Sequence, residues 1–477
     1  IFEGIIIRCE GTEGADPTNR IENAPTFDTN VNVPILPNDV IELILSKTDY
    51  KTIKKAVLLK MVNETDIVMR KILQDHIILI YPRFNDKITE YYEDGELFLH
   101  FGVYKEFYSF FDKFGDKVKK IEFHYENDKY NRYELTEFNE DIIQRIKRCA
   151  KILEELRIET KDDAGFWEEM LDGENGIIFP EVKKLQLTYC SRNDLNLNFI
   201  FPKLESFKLK GSALFDYSLA NVKNLKELTL DSYLARSDDL EHIFKNNANM
   251  TKIFLSWPNR AESIQLIEKY LTKLETLEIN DASADFLFRT NNNNTVYKLP
   301  SVTHFSFSFN YINDELFRNG NLSFDMPELK KLTVKGVIAD EGIMDFIKHF
   351  KKLETFELFI YLYNPLNCLG KFHHIKEFTT IYYANQIDSL ENMFINFDEE
   401  SELEILKFVD FDESNYKTYE DEMKRINKNL EKSEKSTWAL SHGELSPWEP
   451  VVLVHININQ NYLMFRRTPC KSCKKKK

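Results

Sequence analysis

The chain of 477 residues is poor in glycine and proline, with 15 and 14 respectively, which argues against linker-rich or disordered architecture. No apolar run approaches the roughly 18 residues that a membrane span needs, so no membrane association is expected. Cysteine is scarce and scattered: Cys9, Cys149, Cys190, Cys368, Cys470 and Cys473. That is no disulfide framework, and Cys9, Cys149, Cys190 and Cys368 are expected to sit reduced, as small hydrophobes, in a cytoplasmic or nuclear protein. The stretch "IFEGIII" at Ile1 lacks the basic start and longer apolar core of a secretory signal, and a chain beginning with Ile reads as a fragment or a processed product.

Basic residues, 63 Lys and Arg, are outnumbered by 78 Asp and Glu. The formal net charge is −15, while the residues from Val451 onward carry seven basic groups and no acidic one, so the first 450 residues carry −15 less 7, or −22. An acidic body disfavours nucleic acid, whose phosphates need basic surface. Catalytic signatures are missing too: there is no P-loop, nucleophile elbow or dinucleotide-binding glycine pattern. His373 and His374 are adjacent, so on a strand they would face opposite ways. "CKSC" at Cys470–Cys473 has metal-ligand spacing, but no second pair completes a tetrahedral site. No catalytic, cofactor-binding or metal-binding residue is singled out, and an enzyme is not expected.

What the chain does have is aromatic bulk, 37 Phe and 22 Tyr, and a recurring phrase. Its form is apolar, two polar residues, apolar, one residue, apolar. Looser copies, "VKKIEF" at Val118 and "LEELRI" at Leu153, are followed by "VKKLQL", "LESFKL", "LKELTL", "MTKIFL" and "LETLEI", starting at Val182, Leu204, Leu225, Met250 and Leu274. "VTHFSF", "LKKLTV", "LETFEL", "IKEFTT" and "LEILKF" continue the series from Val302, Leu329, Leu353, Ile375 and Leu403. Successive starts lie 21 to 35 residues apart. The end of each phrase alternates like a half-buried strand. The intervals Asp238–Met250, Ala261–Leu274 and Asp340–Leu353 carry apolar residues at helical spacing. One strand and one helix cannot bury an apolar face alone, so the copies must stack.

The pattern resembles leucine-rich repeats, whose period is about 20–29 residues. "LQLTYC" and "FSFSFN" reproduce that family's Cys/Asn position, whereas Ser212, Tyr233, Pro258 and Ala282 depart from it. The resemblance covers roughly 118–412. It implies an α/β fold: a leucine-rich-repeat solenoid of curved parallel strands with helices on the convex side. Residues between the buried positions then face the concave side. They include Lys184, Gln186, Thr188, Lys208, Lys210, Lys252, Phe254, His304, Lys331, Phe359 and Ile381. Lys252, Phe254, His304, Lys331, Phe359 and Ile381 are the candidate partner-binding set. Phe254 and Phe359 read either as anchors in an interface or as packing beneath a neighbouring loop.

Upstream, Pro37 suits a first helical position, Asp49 a cap, and three short segments end at Leu73. Three such helices cannot hide all their apolar side chains in a core of their own. "LPNDVIELIL" with "YKTIKKAVLL" resembles an F-box. Thr48 stands where that family usually has an apolar residue, and its late Trp is absent. The resemblance implies that Leu36, Pro37, Val40, Ile41, Ile44, Leu45 and Ile53 bind a Skp-family adaptor within a cullin complex, while the repeats hold a protein substrate. The alternative is a scaffold whose first helices only cap the array, shielding its apolar edge.

The expected organisation is a flexible leader at 1–30, an F-box-like helical module at 31–80 and a connecting or capping segment at 81–117. The repeat array follows at 118–412, then a charged helix and linker at 413–450 and a basic tail at 451–477. "VVLVHININQNYLMF" at 451–465 alternates like a strand; it either pairs at the array's end or stands outside the protein's fold. The final "KKKK" reads as a nuclear-import or lipid-surface patch.

Overall fold

The computed structural model describes residues 76–80, 89–93, 96–101, most of 108–125, 132–160, 177–189, 195–211, 221–231 and 237–256. It also describes 261–280, 296–309, 323–336, 349–360, 374–381, 402–410, 438–441 and 461–467, and Leu73, Trp167, Met170 and Ile347 singly. The chain divides into two compact units, Ile1–Val68 and Met69–Lys477, and every described residue belongs to the second. Leu36, Pro37, Val40, Ile41, Ile44, Leu45, Ile53 and the charged segment 415–436 lie outside the described residues.

The copies of the phrase become strands. The first two are β4 (Lys120–Tyr125) and β5 (Glu155–Thr160), preceded by β1 (His76–Ile80), β2 (Thr89–Glu93) and β3 (Glu96–Phe101). Then come β6 (Lys184–Thr188), β7 (Ser206–Lys210), β8 (Glu227–Asp231), β9 (Lys252–Ser256) and β10 (Thr276–Asn280). The later ones are β12 (His304–Phe309), β14 (Lys331–Gly336), β15 (Thr355–Ile360), β16 (Glu377–Ile381) and β17 (Ile405–Asp410). Each pairs in parallel with the next copy, in unbroken order from β4 to β17. The register shifts by nothing from copy to copy: Leu185, Phe207, Leu228, Ile253 and Leu277 stand side by side.

One backbone device holds that register. At every junction the carbonyl of the phrase's second residue accepts the N–H groups of the second and third residues of the next copy. Glu205 and Ser206 both donate to the Lys183 oxygen (2.8 and 2.9 Å), and Lys226 and Glu227 to the Glu205 oxygen (2.7 and 3.1 Å). The pattern runs from Glu154 and Glu155 on Lys119 to Glu404 and Ile405 on Lys376. Side chains at the second position repeat the theme: Lys119–Glu154, Glu205–Lys226 and Glu354–Lys376 pair at 2.6, 2.8 and 3.1 Å. These pairs are exposed and contribute little each. Their alternating signs nonetheless favour one neighbour order.

The first, fourth and sixth phrase positions form the core. Val118, Ile121 and Phe123 are fully buried, as are Leu225, Leu228 and Leu230. Buried Leu, Ile and Phe side chains of this kind contribute roughly 1.5–3 kcal/mol each. Helices pack on that side: α1 (Arg132–Cys149), the single turn α2 (Leu197–Ile200), α3 (Ser237–Asn246) and α4 (Ala261–Tyr270). Helices α3 and α4 occupy the intervals where helical spacing predicts them; of the predicted helix at 340–353, Ile347 is helical and buried. Asn247, just past α3, is a buried polar staple. Its Oδ1 accepts from Leu225 N (2.7 Å), and its Nδ2 donates to the Val222 and Ile243 carbonyls (both 2.8 Å).

Before β12 and β14 the described residues include β11 (Tyr297–Lys298) and β13 (Phe324–Asp325), a small parallel pair apart from the main sheet. Aromatic packing explains the extended backbone there: buried Tyr297 lies against Phe324, and Phe324 against Phe305, at 5.7 and 5.3 Å. Aromatic side chains are enriched in strands, where they pack on the pleated surface.

Both ends of the sheet differ from the expected layout. β1 lies inside the stretch assigned to the helical module; it is a strand, paired in parallel with β3 and β4. Its five consecutive buried residues suit a strand covered on both faces, a run that periodicity alone does not separate from a helix. β2 pairs antiparallel with β3. At the other end, β19 (Asn461–Arg467) pairs antiparallel with β17, and β18 (Trp438–Ser441) with β19. Of the 451–465 stretch, Asn461–Phe465 pair at the array's end as part of β19, and residues 451–460 lie outside the described residues. Within Met69–Lys477 the architecture is a single-register array of parallel strands, which fits the solenoid that the leucine-rich-repeat resemblance implies.

Candidate functional site

The face opposite the core carries the third and fifth phrase positions and the residue after the phrase, in three transverse rows. Lys252, His304 and Lys331 share the first row, with Thr276 between Lys252 and His304. Phe254 stands in the second, between Thr229 and Glu278. Phe359 stands in the third, in register with Lys335. Ile381 follows Thr380, the partner of Leu358, and is in register with Val409. The six candidates thus fall on one stretch of sheet but not in one cluster. His304 and Lys331 are immediate neighbours, and Phe359 and Ile381 are on adjacent strands. Phe254 lies four strands from Phe359, ~19 Å at ordinary strand spacing, so the aromatics are separate features.

Most charges on this face are paired with each other. Lys331 meets Glu357 at 2.8 Å, and Glu357 also accepts from Thr333 at 2.7 Å. Lys407 bonds Glu377, and Lys252 is 3.9 Å from Glu278. Phe254 and Phe359 are half-buried, beside Thr229 and Glu278 and beside Lys335 respectively. His304 is exposed; desolvation, then Lys331, holds its imidazole below the usual histidine value.

A denser cluster sits near the array's start, outside the predicted set. Arg157 on β5 binds Glu155 at 2.5 Å, Glu96 at 2.6 Å and Glu122 at 3.5 Å, joining β3, β4 and β5. Burial opposes its charge, but Glu155 and Glu96 outweigh that and push its pKa above the usual guanidinium value. Burial would raise Glu122; His124, hydrogen-bonded at 3.0 Å, and Arg157 hold it below the usual carboxylate range instead. The phase of "LEELRI" places Arg157 on this face, so the signal was present in the looser copy.

Tyr189 is a further feature that periodicity does not reveal. It follows β6 with a positive φ of 59°, uncommon for a bulky residue, and is half exposed. Its ring lies over Gly211, itself at φ +62°, where an added Cβ would come within 2.6 Å of the ring. Gly211→Ala is therefore expected to displace Tyr189 and lower stability by about 1–2 kcal/mol, measured by chemical denaturation. An unchanged midpoint would show the ring to be freely movable.

An open pocket of about 240 Å³ lies beside the end of α4, lined by Leu271, Leu274, Leu299 and Val302. Its polar neighbours are engaged: Glu268 accepts from Lys298 N at 3.1 Å, and Ser301 donates to the Thr272 carbonyl at 2.6 Å. Among the described residues no group of three His, Cys, Asp or Glu could hold a metal, and no helix is long and apolar enough to cross a membrane.

Neither a protein-family model nor a curated protein matches the sequence. Among solved structures the chain is similar to the leucine-rich repeat-containing protein LegL7 of Legionella pneumophila. The identity is 14%, over 51% of this chain and 87% of that one, with a TM-score of 0.34. It is also similar to an internalin of Listeria monocytogenes, at 12% identity over 56% of this chain and 74% of that one, TM-score 0.25. The third is a chain of a TLR13–ssRNA13 complex, at 13% identity over 62% of this chain and 54% of that one, TM-score 0.27.

Proposed function

We propose that this chain is a non-enzymatic substrate-recognition subunit of a Skp–cullin–F-box ubiquitin ligase. The repeat array holds a protein substrate on its outward face, and Leu36, Pro37, Val40, Ile41, Ile44, Leu45 and Ile53 dock the Skp-family adaptor. The observation that carries the recognition half is the in-register array, which offers rows of side chains over twelve parallel strands. The docking half rests on the Leu-Pro-led apolar segment standing before such an array. The subunit supplies proximity, and ubiquitin transfer belongs to other subunits. A cytoplasmic or nuclear location follows from that role.

The full chain mixed with a purified Skp-family adaptor is expected to elute as a one-to-one complex by light scattering. Leu36→Ala with Pro37→Ala is expected to abolish it. No complex with the wild-type chain would leave the alternative, a protein-interaction scaffold outside any ligase. One observation favours that second reading: Leu73, the last residue of the third predicted helical segment, is helical and buried in the core of the second unit. A residue buried there fits a capping role for the end of that segment.

On the recognition side, Phe359→Ser with Ile381→Ser and Phe254→Ser alone are made as separate variants, because the two aromatics are apart. Losing a buried aromatic anchor costs about 2 kcal/mol or more of binding. Full retention of the partners captured by the wild-type chain in both variants would exclude these residues as anchors.

A further inference from the structure

We infer that the last strands of the outward face dock an amphipathic helix of a protein partner. Phe359, Ile381, Val409 and Tyr462 lie along the apolar side of that helix, and Lys335 meets an acidic residue one turn away. This deepens the recognition role above and rests on it.

The third row of the face changes character once. From His124 on β4 to Ser308 on β12 and Lys335 on β14 it is polar in every copy. The next four positions, on adjacent strands, are Phe359, Ile381, Val409 and Tyr462. The core does not call for this switch, because its residues come from the first, fourth and sixth phrase positions of the same copies, such as Leu353, Phe356 and Leu358. Spacing selects the occupant. The three steps from β15 to β19 span about 14 Å at ordinary strand separation. Four apolar side chains on one side of a helix, three and four residues apart, span about 15 Å. Four alternate side chains of an extended segment would span about 20 Å. A helix laid across the strands therefore sets one anchor on each, and an extended chain drifts out of step.

Charge complementarity sets the flank. Lys331 and Lys407 are held by Glu357 and Glu377, so the rows beside the apolar one ask for no partner charge. Lys335 differs: it is exposed, it stands directly beside half-buried Phe359, and among the described residues no carboxylate pairs with it. An acidic residue one turn before the first anchor of the helix falls on Lys335 and fixes the direction in which the helix lies. Anchors one turn apart on an amphipathic helix are the way such surfaces are read, with the aromatic position carrying most of the energy.

The test uses the full chain and a designed helical peptide: one glutamate, then four leucines spaced alternately four and three residues apart, in an alanine and glutamine background. Its controls are a scrambled peptide, one with leucine at every second position, and one with lysine in place of the glutamate. By calorimetry the helical peptide is expected to bind about tenfold or more tightly than the scrambled and alternating ones. Phe359→Ser with Ile381→Ser is expected to weaken it about tenfold or more. Lys335→Glu, an exposed change expected to leave the thermal midpoint in place, should invert the preference between the glutamate and lysine peptides. Maleimide labelling of Phe359→Cys should be as fast as that of Thr229→Cys in the free chain and slowed severalfold by the peptide. The inference is overturned if the scrambled or alternating peptide binds as tightly, if the double serine variant binds like wild type, or if Lys335→Glu leaves the preference unchanged. It is equally overturned if Phe359→Cys labels slowly in the free chain, because the chain's own residues then occupy the row. Adaptor binding by the same variants separates the two claims: its retention alongside failed peptide binding removes the helix site and leaves the recognition role standing.

Discussion

Leu228→Asp is expected to unfold several consecutive repeats at once rather than one strand. Leu228 is buried at the fourth phrase position, between Phe207 and Ile253 on the flanking strands. Truncating a buried leucine costs about 2–5 kcal/mol, and the carboxyl adds the cost of an unsatisfied polar group. Together about 5 kcal/mol or more is lost at one site. Each repeat is stabilised by its neighbours, so the damage spreads along the array. Thermal unfolding followed by circular dichroism should show a pre-transition worth several strands of signal. Thr229→Asp, on the opposite face one residue later, should cost less than about 1 kcal/mol. A loss confined to one strand's worth of signal would mean that the repeats are not energetically coupled.

The second large effect is expected from Asn247→Ala. Three buried backbone groups, Leu225 N–H and the Val222 and Ile243 carbonyls, lose their partner together. At about 1–3 kcal/mol for each buried group left unsatisfied, a total of at least about 3 kcal/mol is expected. Asn247→Asp restores the acceptor for Leu225 but not the two donors, so it should recover only part of that. Asn196→Ala is the comparison, because Asn196 caps α2 through an exposed bond to Phe199 N and is worth about 1 kcal/mol. Denaturant midpoints that rank Asn196→Ala as the more damaging change would contradict this.

The repeat was legible because its signal is dense. Three apolar positions per copy, in fixed phase, leave one register that buries them all, and a slip by one residue would expose every one. The same phase placed Lys252, Phe254, His304, Lys331 and Phe359 on the outward face. Their mutual distances were not legible, because they depend on how many strands intervene. Phe254 and Phe359 look alike in their phrases yet stand four strands apart. β1 falls in the stretch assigned to a helical module because its buried run, His76 followed by four apolar residues, carries no period. β11 and β13 carry no copy of the phrase, and Tyr297, Phe324 and Phe305 meet there across repeats, which a local pattern does not reveal. Tyr189 was hidden for another reason: a left-handed backbone at a tyrosine is set by its neighbour Gly211, not by its own propensity.

The outward face exists only if the copies stand in one register. Residue-resolved hydrogen exchange on the full chain tests that most directly. The paired amides that share one carbonyl, from Glu154 and Glu155 through Glu205 and Ser206 to Glu404 and Ile405, are predicted to exchange slowly at every junction. Protection displaced by one residue in any copy, or fast exchange at a run of consecutive junctions, would contradict the array and with it the recognition face.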